Sequence, residues 1–289
     1  MKHSHKVSLI ILALFFVAQI VGLAIVQQYT LGVNEATGET VYKELAIGER
    51  PPVEEDLSFI PILIGILIGT GLLLLLIKFK VFMVWKGFFF FAVFMALLVA
   101  FDAFIPTLWA GILALVLAGL KIFRPRIILH NLTEVFIYGG MAAIFVPLLS
   151  AFSASVLLIL ISIYDMYAVW KSKHMITLAK FQTEVKVFAG LLVPYQMQKG
   201  KPAKPTSKGK VKMVKVRTAM LGGGDIGFPL MFAGAMMSQY GFLKTLIIPV
   251  CASIALYGLL IKGDEKKFYP AMPFISIGCF VGYGILLLL

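Results

Sequence analysis

Apolar residues occur along this chain in long runs that few charged side chains interrupt. A membrane-spanning helix needs about 20 predominantly apolar residues. Runs of this kind lie near residues 7–26, 58–77, 81–100, 103–120, 128–149, 151–170, 218–238, 243–261 and 269–289. The fifth run is the weakest, because His130, Asn131 and Glu134 occupy its first turns. The pattern predicts an all-α polytopic membrane protein with about nine transmembrane helices.

Composition supports the same class of protein. Hydrophobic residues make up 60% of the chain and charged residues only 14%, which does not suit a soluble globule. Lys2 and Lys6 precede the first apolar run, as in a signal peptide. The run is longer than a usual signal-peptide core, and no small-residue cleavage pattern follows it at 26–29. We therefore expect an uncleaved anchor.

The positions of the basic residues predict the orientation. Lys and Arg accumulate in the cytoplasmic loops of membrane proteins. With a cytoplasmic N-terminus, the cytoplasmic side holds all of the 26 basic residues except Lys43, Arg50, Lys86 and Lys244. The loop at 27–57 on the opposite side is acidic. We expect the N-terminus inside, the C-terminus outside, and a multi-pass protein of the cell membrane.

Most of the formal net charge of +12 comes from one cytoplasmic loop. Nucleic-acid binding would need basic residues interleaved with aromatic residues on a folded face, so no nucleic-acid partner is expected. The stretch at 199–210 is rich in Lys, Pro and Gly, and we interpret it as a linker that touches anionic lipid headgroups. Before it, apolar residues at steps of three and four over 175–192 predict an amphipathic helix that ends at Pro194. That helix would lie at the cytoplasmic membrane interface, either as a surface anchor or as a gate over the functional site.

Two carboxylates inside apolar runs are the main chemical signal. Asp165 lies about six residues from the cytoplasmic end of the sixth run, and Asp225 about eight residues into the seventh. At about 1.5 Å per residue, both lie about 9–12 Å below the surface. An intramembrane acid is costly, so two at matched depth indicate a function.

A close pair of carboxyl groups in a low-dielectric site shares one proton. In aspartic proteases, the ionised member takes a proton from the attacking water and the protonated member donates to the peptide carbonyl. The alternative is that the two acids pair separately with polar side chains or backbone groups. Neither Cys251 nor Cys279 has a neighbour at metal-ligand spacing, and no metal or cofactor is expected.

The residues beside both acids strengthen the case for a joint site. Gly222, Gly223 and Gly224 precede Asp225, and residues without a Cβ allow a late helix start or a close approach to a neighbour. Tyr164 adds a phenol directly before Asp165. The ninth run opens with Pro270-Ala271-Met272-Pro273. Because two prolines disfavour helix here, we expect an extended segment that lies beside the acids and holds an opened substrate strand.

These motifs resemble those of the presenilin and signal peptide peptidase family. Tyr164-Asp165 is similar to its YD motif, Gly222-Gly223-Gly224-Asp225 to its GxGD motif, and Pro270-Ala271-Met272 to its PAL motif. The resemblance covers nearly the whole chain and implies an intramembrane aspartyl protease with Asp165 and Asp225 catalytic. It also implies substrate binding by Tyr164, Gly222, Gly223, Gly224, Pro270, Ala271 and Met272.

Two departures from the family pattern refine this interpretation. Met272 replaces the leucine of the PAL motif with similar volume and apolarity, and a short lysine-rich linker replaces a long loop. The chain therefore resembles a prokaryotic, archaeal-type homologue without obligatory partner subunits. Its expected partners are transmembrane-helix protein substrates, the lipid bilayer and a second copy of itself. The expected parts are 1–170 with Asp165, a basic loop at 171–216, and 217–289 with Asp225.

The sequence can also be compared with the requirements of other protease classes, of a transporter and of a scaffold protein. A zinc metalloprotease would need His-Glu-x-x-His, and a Ser/His protease would need a histidine deep in a span, but the histidines are His3, His5, His130 and His174. A proton- or cation-coupled transporter is the main alternative use of paired acids. A scaffold without chemistry would leave both acids unexplained.

Overall fold

Nine long helices account for most of the described chain. The computed structural model describes residues 5–33, 40–51, 54–79, 81–172, 178, 181–182, 187–195, 217–263 and 269–289. The helices are α1 (His5–Tyr29), α2 (Phe59–Lys78), α3 (Phe82–Asp102), α4 (Thr107–Phe123), α5 (Ile127–Phe145), α6 (Ala151–Met166), α7 (Gly224–Tyr240), α8 (Ile247–Lys262) and α9 (Met272–Leu286). The predicted all-α polytopic membrane architecture is therefore confirmed.

Short elements connect and extend these helices. Turns of 3-10 helix lie at Glu55–Leu57 and Val146–Leu148, a π-helical turn at Tyr167–Lys171 extends α6, and a four-residue helix at Phe242–Thr245 leads into α8. With these extensions, six helices in the described part are long and apolar enough to cross a membrane. The remaining three are α4, α7 and α9, which have 17, 17 and 15 residues.

The helix α7 lies at the centre of the bundle, where it packs against α1, α5, α6 and α9. Its buried face includes the small residues Gly227, Ala233, Gly234 and Ala235, which let neighbouring helices approach closely. A helix enclosed by protein does not need the continuous lipid-facing surface of an outer helix. The helix α2 is an example of such an outer helix, because Leu73 is its only buried residue among those that the structure describes.

Two small hairpins accompany the helices. Strands β1 (Thr30–Val33) and β2 (Thr40–Tyr42) pair antiparallel after α1. Strands β3 (Gly190–Tyr195) and β4 (Arg217–Gly222) pair in regular antiparallel register from Gly190 opposite Gly222 to Tyr195 opposite Arg217. Strand β3 also packs against α1 and α5, so the second hairpin is joined to the core.

The β3–β4 hairpin corrects two sequence predictions. The amphipathic helix predicted over 175–192 is wrong at its C-terminal end, where residues from Gly190 onward are strand. Much of the rest of that prediction falls outside the described residues. Gly190 has φ 144°, which no helix contains, and the buried residues Leu191 and Val193 alternate as in a strand. The seventh span was also predicted too early, because 218–222 belong to β4 and the helix begins at Gly224.

Close packing between α8 and α9 fixes the position of the ninth helix. A Cβ on Gly278 would lie 2.6 Å from the Cys251 carbonyl oxygen, and a Cβ on Gly282 would lie 2.7 Å from the Ile248 Cα. The spacing of four residues puts both glycines on one face of α9. This is the close backbone approach typical of small residues between membrane helices.

We expect Gly282→Leu to lower the thermal unfolding midpoint in detergent markedly, because overpacking a tight contact costs about 1–3 kcal/mol or more. The matched control is Gly284→Leu on the same helix, where an added Cβ meets nothing within 4 Å. That control should leave the midpoint nearly unchanged. Equal effects of the two substitutions would contradict this account of α8–α9 packing.

Candidate active site

Asp165 lies in the last turn of α6 and is 4% exposed. Its Oδ2 accepts a hydrogen bond of 3.1 Å from the backbone N–H of Met272. Among the described residues, its Oδ1 has no hydrogen-bond partner. Tyr164 is half-buried about 100° around the helix from Asp165, so the two side chains point in different directions.

Asp225 is the second residue of α7 and is 7% exposed. It was predicted about eight residues into its span. It lies instead at a helix start, because strand β4 occupies the preceding residues up to Gly222. Proline at position 229 has no N–H to donate to the Asp225 carbonyl, so the first turn is loosened at this acid.

The three glycines before Asp225 have different surroundings. A Cβ on Gly222 would lie 3.2 Å from Oδ2 of Asp225, and a Cβ on Gly223 would lie 2.7 Å from Oη of Tyr138. A Cβ on Gly224 would make an ordinary contact of 3.4 Å with Phe228. A side chain at Gly222 or Gly223 would therefore displace a neighbouring side chain, whereas a Cβ at Gly224 would displace nothing.

The structure brings the two acids into one site. The helices α6, α7 and α9 pack against each other, with Asp165 in the last turn of α6 and Asp225 in the first turn of α7. Ser162 of α6 and Ser276 of α9 share a buried hydrogen bond of 2.7 Å about one turn from the Asp165–Met272 contact. This bond fixes the register of the two helices, so that the first N–H of α9 reaches Asp165.

The segment at 270–273 is not the extended strand that the two prolines suggested. Ala271 has helical dihedral angles of φ −86° and ψ −31°, and α9 begins at Met272 with Pro273 in its first turn. Proline suits the first turn of a helix, where N–H groups have no partner within the helix. The unused N–H of Met272 is the group that binds Asp165. Pro270 and Met272 are buried here, and Ala271 is half-buried.

Sequence reasoning missed several polar residues that support Asp225. Gln19 of α1 donates a buried hydrogen bond of 2.9 Å to the Ile226 carbonyl, next to Asp225. Behind the glycines lie Lys121, Glu134 and Tyr138, of which Glu134 pairs with both others. The signal was present, because Gln19 and Glu134 each interrupt an apolar run. Within the described residues, no group of three or more His, Cys, Asp or Glu side chains is arranged to hold a metal ion.

The fold and the site together define a polytopic membrane protein with two buried carboxyl groups on packed helices. The family described as "Signal-peptide peptidase, presenilin aspartyl protease" matches residues 12–289. The chain therefore belongs to this family and is an intramembrane aspartyl protease. Members of this class act on transmembrane substrates in the bilayer, and the transporter alternative is not supported.

Solved structures agree with the fold. Two crystal forms of a presenilin family intramembrane aspartate protease are similar to this chain. In the P2 form the TM-score is 0.62 at 21% identity, with 96% of each chain covered. In the C222 form the TM-score is 0.58 at 20% identity, with 95% of this chain and 94% of that chain covered. At this identity, the similarity establishes the fold. A search of curated proteins found no significant match.

Proposed function

We propose that Asp165 and Asp225 are the catalytic dyad of this intramembrane protease. The observation that carries the proposal is the burial of both carboxyl groups at adjoining ends of the packed helices α6 and α7, with Asp165 in the last turn of α6 and Asp225 in the first turn of α7. Two such groups hold one proton between them, which provides a general base and a general acid at once. Water attacks the peptide carbonyl as one carboxylate removes its proton, and the other carboxyl group protonates the carbonyl oxygen.

The surroundings give the two acids different roles. The Met272 N–H at the start of α9 donates a hydrogen bond to the Asp165 carboxyl group, and such a bond favours the charged form of a carboxylate. Asp165 is therefore the carboxylate that takes the proton from water in the first step. Asp225 donates its proton to the carbonyl oxygen, which gives a gem-diol. As the C–N bond then breaks, Asp165 gives its proton to the leaving amine and Asp225 regains a proton from a hydroxyl of the gem-diol, so both acids return to the starting state.

Strand β4 provides a surface for an opened substrate. A transmembrane helix must lose hydrogen bonds before its peptide bond can be cut, and unpaired backbone groups are costly in a bilayer. Strand β4 ends at Gly222, three residues before Asp225, and within the described residues it pairs with β3 along one edge. An extended substrate segment that lies along β4 would have its backbone groups paired there. The motif residues around the two acids complete the proposed substrate-binding region. They are Tyr164, Gly222, Gly223, Gly224, Pro270, Ala271 and Met272.

Different parts of the chain contribute the residues of the proposed site. The first part, 1–170, contributes Asp165, and the last part, 217–289, contributes Asp225 and the start of α9. The intervening segment 171–216 is the basic cytoplasmic loop. The distribution of Lys and Arg supports an N-terminus inside and a C-terminus outside in the cell membrane.

Sharing of one proton predicts a bell-shaped pH dependence of kcat/KM. Activity requires one ionised and one protonated carboxyl group, so it falls when both are protonated and when both are ionised. The measurement uses purified protein in detergent and a single-span peptide, with fragments quantified by mass spectrometry at each pH. A rate that stayed constant from about pH 4 to about pH 9 would contradict a shared-proton dyad.

A further inference from the structure

A second buried polar cluster lies behind Asp225 and is not part of the dyad. It consists of Lys121 on α4 with His130, Thr133, Glu134 and Tyr138 on α5, and we refer to it as the Glu134 cluster. The side chains of Lys121 and Glu134 are each 2% exposed. Burying two charges in a membrane protein is costly, and their attraction repays the cost only when hydrogen bonds satisfy both groups.

Lys121 is fully satisfied by its neighbours. Its Nζ donates to Glu134 Oε1 at 2.7 Å, to Thr133 Oγ1 at 3.1 Å and to His130 Nδ1 at 3.1 Å. Because an ammonium group has only donors, His130 Nδ1 accepts, and the proton of the neutral ring is on Nε2. That Nε2 lies 2.7 Å from the Gly190 carbonyl oxygen and donates to it.

Glu134 links this ion pair to the β3–β4 hairpin by hydrogen bonds. Its Oε2 accepts a hydrogen bond of 3.1 Å from the Gly190 N–H and another from the Tyr138 hydroxyl. Both backbone groups of Gly190 are thus held by the cluster. Asn131 binds the same strand two residues later, donating to the Leu192 carbonyl at 2.8 Å and accepting from its N–H at 2.9 Å.

Two short paths lead from the cluster to Asp225. Gly190 pairs with Gly222 across the hairpin, and Gly222 lies against the Asp225 carboxyl group. The second path runs through Tyr138, whose ring and hydroxyl occupy the space beside Gly223 and contact Gly227 on the far side of the acid. Gly222 and Gly223 before Asp225, and Gly227 after it, therefore lie beside Gly190 or Tyr138. Gly190 and Tyr138 both donate hydrogen bonds to Glu134.

We propose that Glu134 is a positioning residue for catalysis, which fixes the β3–β4 hairpin and thereby sets the carboxyl group of Asp225 against Asp165. The proposal rests on the dyad assignment above. A nonpolar core would hold α4 and α5 together at lower cost, but it would not direct hydrogen bonds at the backbone of Gly190. Misplacement of a catalytic group by about 1 Å costs about 100-fold in rate, so a small shift of the hairpin is sufficient to affect cleavage.

The test measures kcat and KM for Glu134→Gln with a single-span peptide. A glutamine has one acceptor oxygen for three donors and leaves Lys121 without its counter-ion. We expect kcat to fall at least about tenfold while KM changes by less than about twofold. Tyr138→Phe, which retains the ring against Gly223, is the milder second variant, with an expected loss of about three- to tenfold in kcat.

A double variant separates positioning from stability. Lys121→Met with Glu134→Leu removes both charges and the acceptor of the Gly190 N–H, which avoids an unpaired ammonium and should restore the unfolding midpoint. Under our proposal kcat stays low, because the hairpin has not regained its anchor. The control is Asp102→Asn on α3, which breaks an ion pair with Lys43 at 3.1 Å in which the Asp102 side chain is buried and the Lys43 side chain is 45% exposed. We expect wild-type kcat in the folded fraction of that variant.

Amide hydrogen exchange of 187–195 and 217–224 gives a readout that does not depend on the dyad assignment. We expect faster exchange in Glu134→Gln and in the double variant, and no change in Asp102→Asn. Wild-type kcat in Glu134→Gln, or a double variant whose kcat recovers together with its unfolding midpoint, would overturn the proposal. Failure of the dyad assignment itself would appear differently, as cleavage that persists without Asp165 or Asp225.

Discussion

Asp165→Asn and Asp225→Asn should each reduce peptide cleavage by about 100- to 10,000-fold, the range of one acid–base group. Asparagine keeps the shape of the side chain but can neither take the proton from water nor supply one to the carbonyl oxygen. Each acid has a separate part in one proton cycle, so neither variant should be rescued by the other acid. Fragment release from a single-span peptide, quantified by mass spectrometry, measures the loss.

The same variants should insert and fold as the parent does. Asparagine still accepts the Met272 N–H at position 165, and it removes a buried acid at position 225. We expect an unfolding midpoint in detergent at or above that of the parent. The double variant should be no less active than either single variant, because residues that act as one unit are not additive. Cleavage near the parent rate in either single variant would refute the dyad.

The glycines before Asp225 should differ sharply in their tolerance of a side chain. We expect Gly222→Val to lower kcat by about 100-fold, because its Cβ would lie 3.2 Å from Asp225 Oδ2 and its methyl groups would displace the carboxyl group. Gly222→Ala should give a smaller loss, of about tenfold. The measurement is kcat for the same peptide, normalised to folded protein.

Gly224→Ala is the matched control for this series. Its Cβ would meet Phe228 at 3.4 Å, an ordinary contact, and alanine favours the helix that starts at this residue. Activity should therefore stay within about twofold of the parent. If Gly224→Ala were as damaging as Gly222→Ala, the glycines would act through chain flexibility, and the contact with Asp225 would not be the cause.

The spans and the acid pair could be predicted from the sequence because their signals are local. Each helix needs only its own apolar run, and Asp165 and Asp225 are conspicuous because charge is rare at membrane depth. Their depth was less accurate. The boundary of α7 depends on the pairing of β4 with a strand that ends more than twenty residues earlier in the chain.

The errors arose where one pattern fits two structures. Leu191, Leu192 and Val193 suit a helix face or a strand, and the positive φ of Gly190 decides for the strand. Pro270 and Pro273 suit an extended segment or a helix start, and the packing of α9 on α6 decides for the helix. The polar interruption at Glu134 is visible in the sequence, but its partners Lys121 and Gly190 could not be predicted, because they meet Glu134 only in the folded bundle.

The bond between Asp165 and Met272 has a consequence for biosynthesis. Its two partners are separated by 107 positions in the chain, and the donor on α9 is synthesised after both acids. Asp165 and Asp225 are therefore both synthesised before the group that orients the first of them. On the proposed dyad assignment, a nascent chain acquires its complete acid site only when α9 has been inserted, so proteolytic competence does not precede the insertion of α9.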